Sequence, residues 1–124
     1  NGRRNHDETV FWSHLLAGAL VFPPPPAPFI VIGQANADPA RGDGRPEGIA
    51  ALLANPLLQS TGGGATVDYG GTIGALRVAY ILPSADITVI DSGQMPATSA
   101  SRHVPIWVQA DFQSFAPGSS ANAP

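Results

Sequence analysis

The architecture of this chain follows from FIVIGQANADP, residues 29–39. Its first four residues form a continuous apolar run that Gly33 closes, which is typical of a strand buried on both faces of a sheet. We therefore predict a central strand in which Ile30, Val31 and Ile32 are all buried. A polar segment rich in Gly and Pro, residues 34–46, follows at once, and α/β sheets usually carry their functional residues at this position.

The flanking segments predict two helices and further strands. Upstream, apolar residues recur every three or four positions over residues 9–22, with Asn5 or Asp7 as N-cap, Asp7 and Glu8 in the first turn, and prolines at 23–26 after the end. Downstream, the patterns predict a second helix and three more strands, at residues 47–58, 76–82, 87–90 and 106–112. The sequence thus predicts an α/β fold, with α+β as the alternative, containing at least four strands and two helices.

Composition limits the classes of function. The chain has 124 residues and a mass of 12.7 kDa, which is one small domain or part of one. Its basic residues are all Arg and its formal net charge is −3, so a basic nucleic-acid surface is excluded. Cysteine is absent, which excludes disulfides and thiol chemistry, and no apolar run approaches the roughly 18 residues of a membrane helix. Because the chain begins at Asn1 without an initiator methionine, we expect a processed or excised piece.

Three short motifs and one histidine are each weak evidence on their own. The HDE tripeptide at residues 6–8 has metal-ligand chemistry, but consecutive helical side chains diverge, and a helix start explains it better. The RGD tripeptide at residues 41–43 arises easily by chance in a polar loop, and GGG at residues 62–64 lacks the Lys-Ser/Thr of a phosphate-binding loop. We interpret His14, on the apolar face of the first predicted helix, as a partnered core histidine.

Asn36, Arg102 and His103 are more informative candidates. Asn36 follows the first predicted strand, and His103 lies in a loop of small residues just before the last one, where a rigid element holds an imidazole that stays accessible. If adjacent strands bring the two loops together, the three side chains form a small anion-binding pocket. The alternative is a turn-forming Asn and a surface His.

Several stretches, taken in chain order, resemble motifs of the endonuclease/exonuclease/phosphatase superfamily. Residues 29–39 resemble its strand-Gly-Asp-x-Asn motif, residues 76–84 its Arg-Ile/Val-Asp-Tyr strand, and residues 101–108 its closing Ser-Asp-His and the strand that follows. Residues 1–8 and 43–49 are similar to the opening and the loop-helix of a bacterial branch. The resemblance covers residues 1 to about 112 and implies the C-terminal half of a two-sheet sandwich flanked by helices, which we place as a partial domain over 1–115. The Ala, Ser, Pro and Gly composition of residues 116–124 predicts a flexible tail.

The same resemblance implies a metal-dependent phosphoester hydrolase of nuclease or phosphatase type, with Asn36 and His103 as vestigial catalytic residues. Gln34, Ala79 and Arg102 stand where the family has Asp, and each substitution removes a negative charge. Gln34 cannot accept a proton, Ala79 leaves the His without an orienting carboxylate, and Arg102 repels a divalent cation. We therefore expect an inactive or impaired enzyme without a metal site in this chain, although Mg²⁺ is the family's cofactor.

Partners follow from the same half-domain interpretation. A half-domain exposes sheet edges and a sheet face, so we expect these to be covered either by the missing N-terminal half or by self-association. A non-catalytic structural or self-assembling module is thus the alternative function. Neither a strong nucleic-acid surface nor a membrane partner is expected. The compartment is undetermined, and the bacterial resemblance suggests a secreted or periplasmic protein.

Overall fold

The computed structural model describes residues 2–112 and contains two helices and six strands. In chain order these are α1 (Gly2–Leu16), β1 (Ile30–Gln34), α2 (Glu47–Leu53), β2 (Val67–Asp68), β3 (Ala75–Leu76), β4 (Ala79–Pro83), β5 (Thr88–Gln94) and β6 (Ile106–Asp111). The strands pair antiparallel, β1 with β4, β2 with β3, and β5 with β6. The prediction of at least four strands and two helices is confirmed, in the mixed α+β form of the expected class.

Two predictions fall on residues beyond this part of the chain. The tail at residues 116–124 and the last three residues of the predicted domain, 113–115, lie outside the described residues. Within the described part, no helix is both long and apolar enough to span a membrane.

The first helix lies earlier in the chain than predicted. α1 begins at Gly2, so Asn5 lies inside the helix, and Asp7 and Glu8 lie beyond its first turn rather than in it. The predicted N-cap at Asn5 or Asp7 is therefore wrong. His14 is exposed near the end of α1, which corrects its interpretation as a core histidine.

α1 ends two residues before Gly18, a glycine that lies inside the helix predicted from the sequence. Gly18 has a φ of +68°, in the left-handed region that side chains rarely adopt. The N–H of Gly18 bonds to the Leu15 carbonyl at 3.1 Å, and the N–H of Ala19 bonds to the His14 carbonyl at 3.0 Å. These two bonds are those of a Schellman motif, which satisfies the last carbonyls of a helix. The sequence signal was present, because Gly is the usual residue at this position.

β1 and β4 form the sheet that carries the core. α1 and α2 pack against each other and cover one face of this sheet. The buried hydrophobic residues of this cluster are Leu16, Ala37, Ile49, Leu52, Leu58, Tyr80 and Leu82, with Phe29 and Val31 partly buried against them. A smaller buried cluster contains Val67 from β2, Leu76 from β3 and Val78, the residue before β4.

β1 is not the central, doubly buried strand that the sequence predicted. Val31 is half-buried against the core, but Ile30 and Ile32, on the opposite face, are 36% and 67% exposed. Within the described residues β1 pairs along one edge only, with β4. A continuous apolar run therefore located the strand correctly but could not reveal that Ile30 and Ile32 are exposed on one face, or that among residues 2–112 one edge of β1 has no partner strand.

Other boundaries also moved. α2 ends at Leu53 rather than at residue 58. The residue before a proline disfavours the helical conformation, so the helix does not continue through Asn55 to Pro56. The Asn55 side chain instead accepts the Leu57 N–H in a tight turn. The strand predicted at residues 76–82 is two strands, β3 and β4, and the strand predicted at 87–90 continues to Gln94. The sequence did not predict β2. β6 pairs with β5 and also lies against β4.

Candidate functional site

Gln34 and Ala79 lie directly opposite each other across β1 and β4. Opposed residues of an antiparallel pair have Cβ atoms about 4.5–5.5 Å apart and point to the same face. This face is the one that the helices do not cover, and Ala79 there lines a cavity of about 380 Å³ between β4 and the β5–β6 sheet, with residues 62–64 in its wall. Two Asp residues would form a carboxylate pair at this position, whereas Gln and Ala leave it neutral.

Asn36 lies in a constrained loop immediately after β1. Its φ is +50°, in the left-handed region that Asn tolerates better than most residues. The Oδ1 of Asn36 accepts a hydrogen bond from Gln34 Nε2 at 2.8 Å. The two amides therefore orient each other, and the Nδ2 donor of Asn36 has no acceptor among residues 2–112.

The Asp38 side chain bonds this loop to Arg77, in the short segment between β3 and β4. Its Oδ1 accepts the N–H groups of Ala40 and Arg41 at 2.8 and 3.0 Å, and its Oδ2 accepts the Arg77 N–H at 2.7 Å. Hydrogen bonds to an ionised carboxylate are roughly twice as strong as neutral ones. The RGD tripeptide is thus part of a loop whose backbone Asp38 holds in place.

Thr66 connects this end of the sheet to the segment that carries His103. Its Oγ1 accepts the Ala79 N–H at 3.1 Å, and its carbonyl accepts the Val104 N–H at 2.8 Å. Thr66 is buried, and its neighbour Val67 forms an isolated β-bridge with His103. Thr66 therefore bonds on one side to Ala79 at the start of β4 and on the other to Val104, the residue after His103.

The imidazole of His103 has one buried nitrogen, Nδ1. Its Nδ1 makes no hydrogen bond within the described part of the chain, and the ring meets Tyr69 edge-on with ring centres 6.4 Å apart. A carboxylate on such a nitrogen would fix the tautomer of the ring. Arg102 is exposed. No hydrogen bond between residues 2 and 112 joins Asn36 to His103, so their convergence on one pocket stays a prediction.

A cleft between α1 and β1 was missed by the sequence analysis. Its volume is about 240 Å³, and its polar lining includes Asn5, Glu8, Gln34 and Asn36. Asn5 Nδ2 donates to the Ala35 carbonyl at 2.7 Å, which fixes α1 against the loop after β1. Nothing in the sequence separates an N-cap Asn from one inside a helix that bonds to a distant loop.

The buried Tyr80 side chain bonds to the loop that follows β1. Its hydroxyl lies 2.8 Å from the Ala37 carbonyl and 2.7 Å from the Arg77 carbonyl. Burial raises the pKa of the Tyr80 phenol well above its usual range, the Arg77 guanidinium 4.7 Å from the ring centre opposes that rise, and Asp38 adds to it. Tyr80 is therefore a neutral hydrogen-bond donor.

The side chains at this end of the sheet do not fit a divalent cation. Mg²⁺ prefers carboxylate oxygens, but Gln34 supplies an amide and Ala79 supplies no ligand. Across residues 2–112, no three His, Asp or Glu side chains converge in a way that could hold a metal ion. In the HDE tripeptide, His6 Nδ1 and Asp7 Oδ1 lie 3.4 Å apart without a third ligand.

No protein-family model matches this chain, and no curated protein or solved structure matches it. The resemblance to the endonuclease/exonuclease/phosphatase superfamily therefore depends on the motifs alone and stays a prediction. The geometry around Gln34, Ala79 and Thr66 does not depend on that resemblance.

Proposed function

We propose that this chain retains part of a phosphoester-binding site and binds a phosphoester without hydrolysing it. The observation that carries the proposal is the direct opposition of Gln34 and Ala79 across β1 and β4. If the motif resemblance holds, these positions once carried a carboxylate pair. Their neutral replacements remove both the ligands for a metal and a proton acceptor.

The remaining polar groups favour binding of an anion. Asn36 offers an amide donor beside Gln34, Arg102 offers a planar guanidinium with five N–H donors, and His103 offers an imidazole. The hydrolysis that the resemblance implies is metal-assisted in-line attack of water on phosphorus. These residues supply neither the carboxylates nor the oriented base for that reaction, so the proposed function is that of a pseudoenzyme.

Titration with a dinucleoside phosphodiester tests the proposal. We expect the backbone amide signals of Asn36 and His103 to shift together with one saturation curve in two-dimensional NMR, and the diester to remain intact in the presence of Mg²⁺. Arg102→Gln should weaken binding at least several-fold, whereas Arg3→Gln, at an exposed position on α1, should leave it unchanged. Hydrolysis that depends on Mg²⁺, or no shift at either amide, would overturn the proposal.

A second variant tests whether position 79 faces the imidazole. Ala79→Asp, alone or with Gln34→Asp and Arg102→Asp, places negative charge near His103 and favours its protonated form. We expect the ring signals of His103 to titrate over a higher pH range in the variants than in the parent chain. Ala85→Asp, at an exposed position beyond β4, is the control and should not move them. Identical titrations in all the proteins would show that these loops do not converge.

The alternative function, a self-assembling module, is favoured by a different observation. Among residues 2–112, no strand pairs with the outer edge of β1.

A further inference from the structure

The two edges of the β1–β4 sheet differ. On the β4 side, Thr61 Oγ1 donates to the Ile81 carbonyl at 2.6 Å and the Gln59 N–H donates to the Pro83 carbonyl at 2.8 Å. The segment around residues 58–61 therefore covers that edge. On the β1 side, no strand or side chain among residues 2–112 pairs with the outer edge.

The ladder shows which backbone groups of β1 are left free. The Ala35 N–H bonds to the Val78 carbonyl at 2.7 Å, and the Ser84 N–H bonds to the Phe29 carbonyl at 2.8 Å. Because hydrogen-bonded pairs alternate along an antiparallel ladder, residues 29, 31, 33 and 35 direct their backbone groups towards β4. The N–H and C=O groups of Ile30, Ile32 and Gln34 consequently point away from it.

We propose that a second copy of this chain pairs with this edge, β1 against β1, antiparallel about a two-fold axis at Ile32. In this register Ile32 faces Ile32 of the partner subunit, and Ile30 faces Gln34 of the partner subunit. Every outward residue then meets an outward residue, so all six free groups on each strand become hydrogen-bonded. Such an isologous contact closes with two copies and does not propagate into a filament.

Shape and charge favour this register. Val31 lies opposite Gly33 of the partner subunit, on the helix-covered face beside the cleft between α1 and β1. A Cβ built at Gly33 meets no heavy atom within 4 Å, so space for the partner's valine is open there. β1, residues 30–34, contains no charged residue, so the pairing brings no like charges together.

The exposed apolar area beside the edge is sufficient to contribute most of a stable interface. A groove along α1 and β1 continues from the cleft through Trp12 to Phe22. Five large apolar side chains here are at least a third exposed: Phe11, Trp12, Phe22, Ile30 and Ile32. Together they expose on the order of 500 Å² of surface, since large apolar side chains have up to roughly 150–250 Å² each. Each partner in a standard interface buries about 800 Å². An interface of about 800 Å² would bury about a tenth of the 8039 Å² accessible surface of the chain.

Single cysteines test the register in a chain that has no other cysteine. The Cα atoms of a hydrogen-bonded antiparallel pair lie about 5.5 Å apart, within disulfide range. We expect Ile32→Cys to form a disulfide-linked dimer on mild oxidation. Ile30→Cys alone should not crosslink, because the two copies of residue 30 lie roughly 13 Å apart, but mixed with Gln34→Cys it should. Crosslinking of Ile30→Cys alone, or equal crosslinking of the exposed control Ile90→Cys, would overturn this register.

Sedimentation analysis across a concentration series tests the dimer itself. We expect the parent chain to sediment as a dimer, and Ile32→Lys to sediment as a monomer at concentrations where the parent is mostly dimeric. Ile90→Lys, at a similarly exposed isoleucine on β5, should dimerise as the parent does. A parent chain that stays monomeric at every concentration would overturn the proposal and leave this edge to another segment or another protein.

Discussion

Tyr80 is a single residue on which two backbone segments depend. Its hydroxyl has one proton and lies within hydrogen-bond distance of two carbonyls, those of Ala37 and Arg77. Tyr80→Phe leaves these carbonyls without that donor, and we expect a loss of about 1–2 kcal/mol in unfolding free energy at pH 8. Tyr69→Phe, at a half-exposed tyrosine, is the matched control and should cost much less.

Because of Tyr80, the unfolding free energy should depend on pH in the alkaline range. Burial raises the pKa of Tyr80 above the value of about 10 for an unfolded chain. The folded state therefore holds this proton more tightly, so the contribution is complete below pH ~10 and is lost as pH rises further. In urea denaturation at pH 8 and at pH 10.5, the difference between the parent and Tyr80→Phe should shrink at the higher pH. An unchanged difference would contradict this account.

At the scale of one element, β1 has two chemically distinct faces. Val31 packs against the core under α1 and α2, whereas Ile32 is exposed on the face that the helices do not cover. Val31→Asp places a charge in that core, and we expect a loss of about 2–3 kcal/mol rather than the complete loss of folding that a doubly buried strand would imply. Ile32→Asp should change stability by less than about 0.5 kcal/mol. Urea denaturation at concentrations too low for association measures both, and equal losses would show that the faces are not distinct.

The sequence predicted the existence of these elements better than their surroundings. The run at residues 29–32 identified β1, and the start predicted for the second helix, residue 47, is the first residue of α2. Burial was wrong for Ile30 and Ile32, because composition shows that a side chain is apolar but not whether another layer covers it. The end of α1 was wrong because Gly18 was counted within a periodic apolar pattern, although its left-handed φ stops the helix.

The candidate site was predictable only where it follows strand ends. The motifs singled out Gln34 and Ala79 separately, and the β1–β4 register places them opposite each other. The connection from Ala79 to the His103 segment passes through Thr66, which no motif marked. Long-range hydrogen bonds of this kind depend on how separate segments pack, and local sequence patterns carry no information about them.

For the whole molecule, the distribution of buried residues predicts two levels of stability. Both hydrophobic clusters are built without any residue of β5 or β6, and no residue of these two strands is fully buried. Regions with few buried apolar contacts open by local unfolding at a lower free-energy cost than the core. We therefore expect backbone amides of β4 to exchange only on global unfolding, and those of β5 and β6 to exchange through a separate, easier opening.

Leu82→Ala separates these two levels, because Leu82 is only 1% exposed and belongs to the larger cluster. Truncating a buried leucine costs about 2–5 kcal/mol, so amide protection in β1 and β4 should fall at least roughly 30-fold. Protection in β5 and β6 should stay unchanged as long as their own opening costs less than global unfolding in the variant. Ile90→Ala, at an exposed side chain on β5, is the control and should alter neither level. Hydrogen exchange followed by NMR measures all of these amides together. A uniform loss of protection across all four strands would mean that the chain unfolds as one unit despite its divided core.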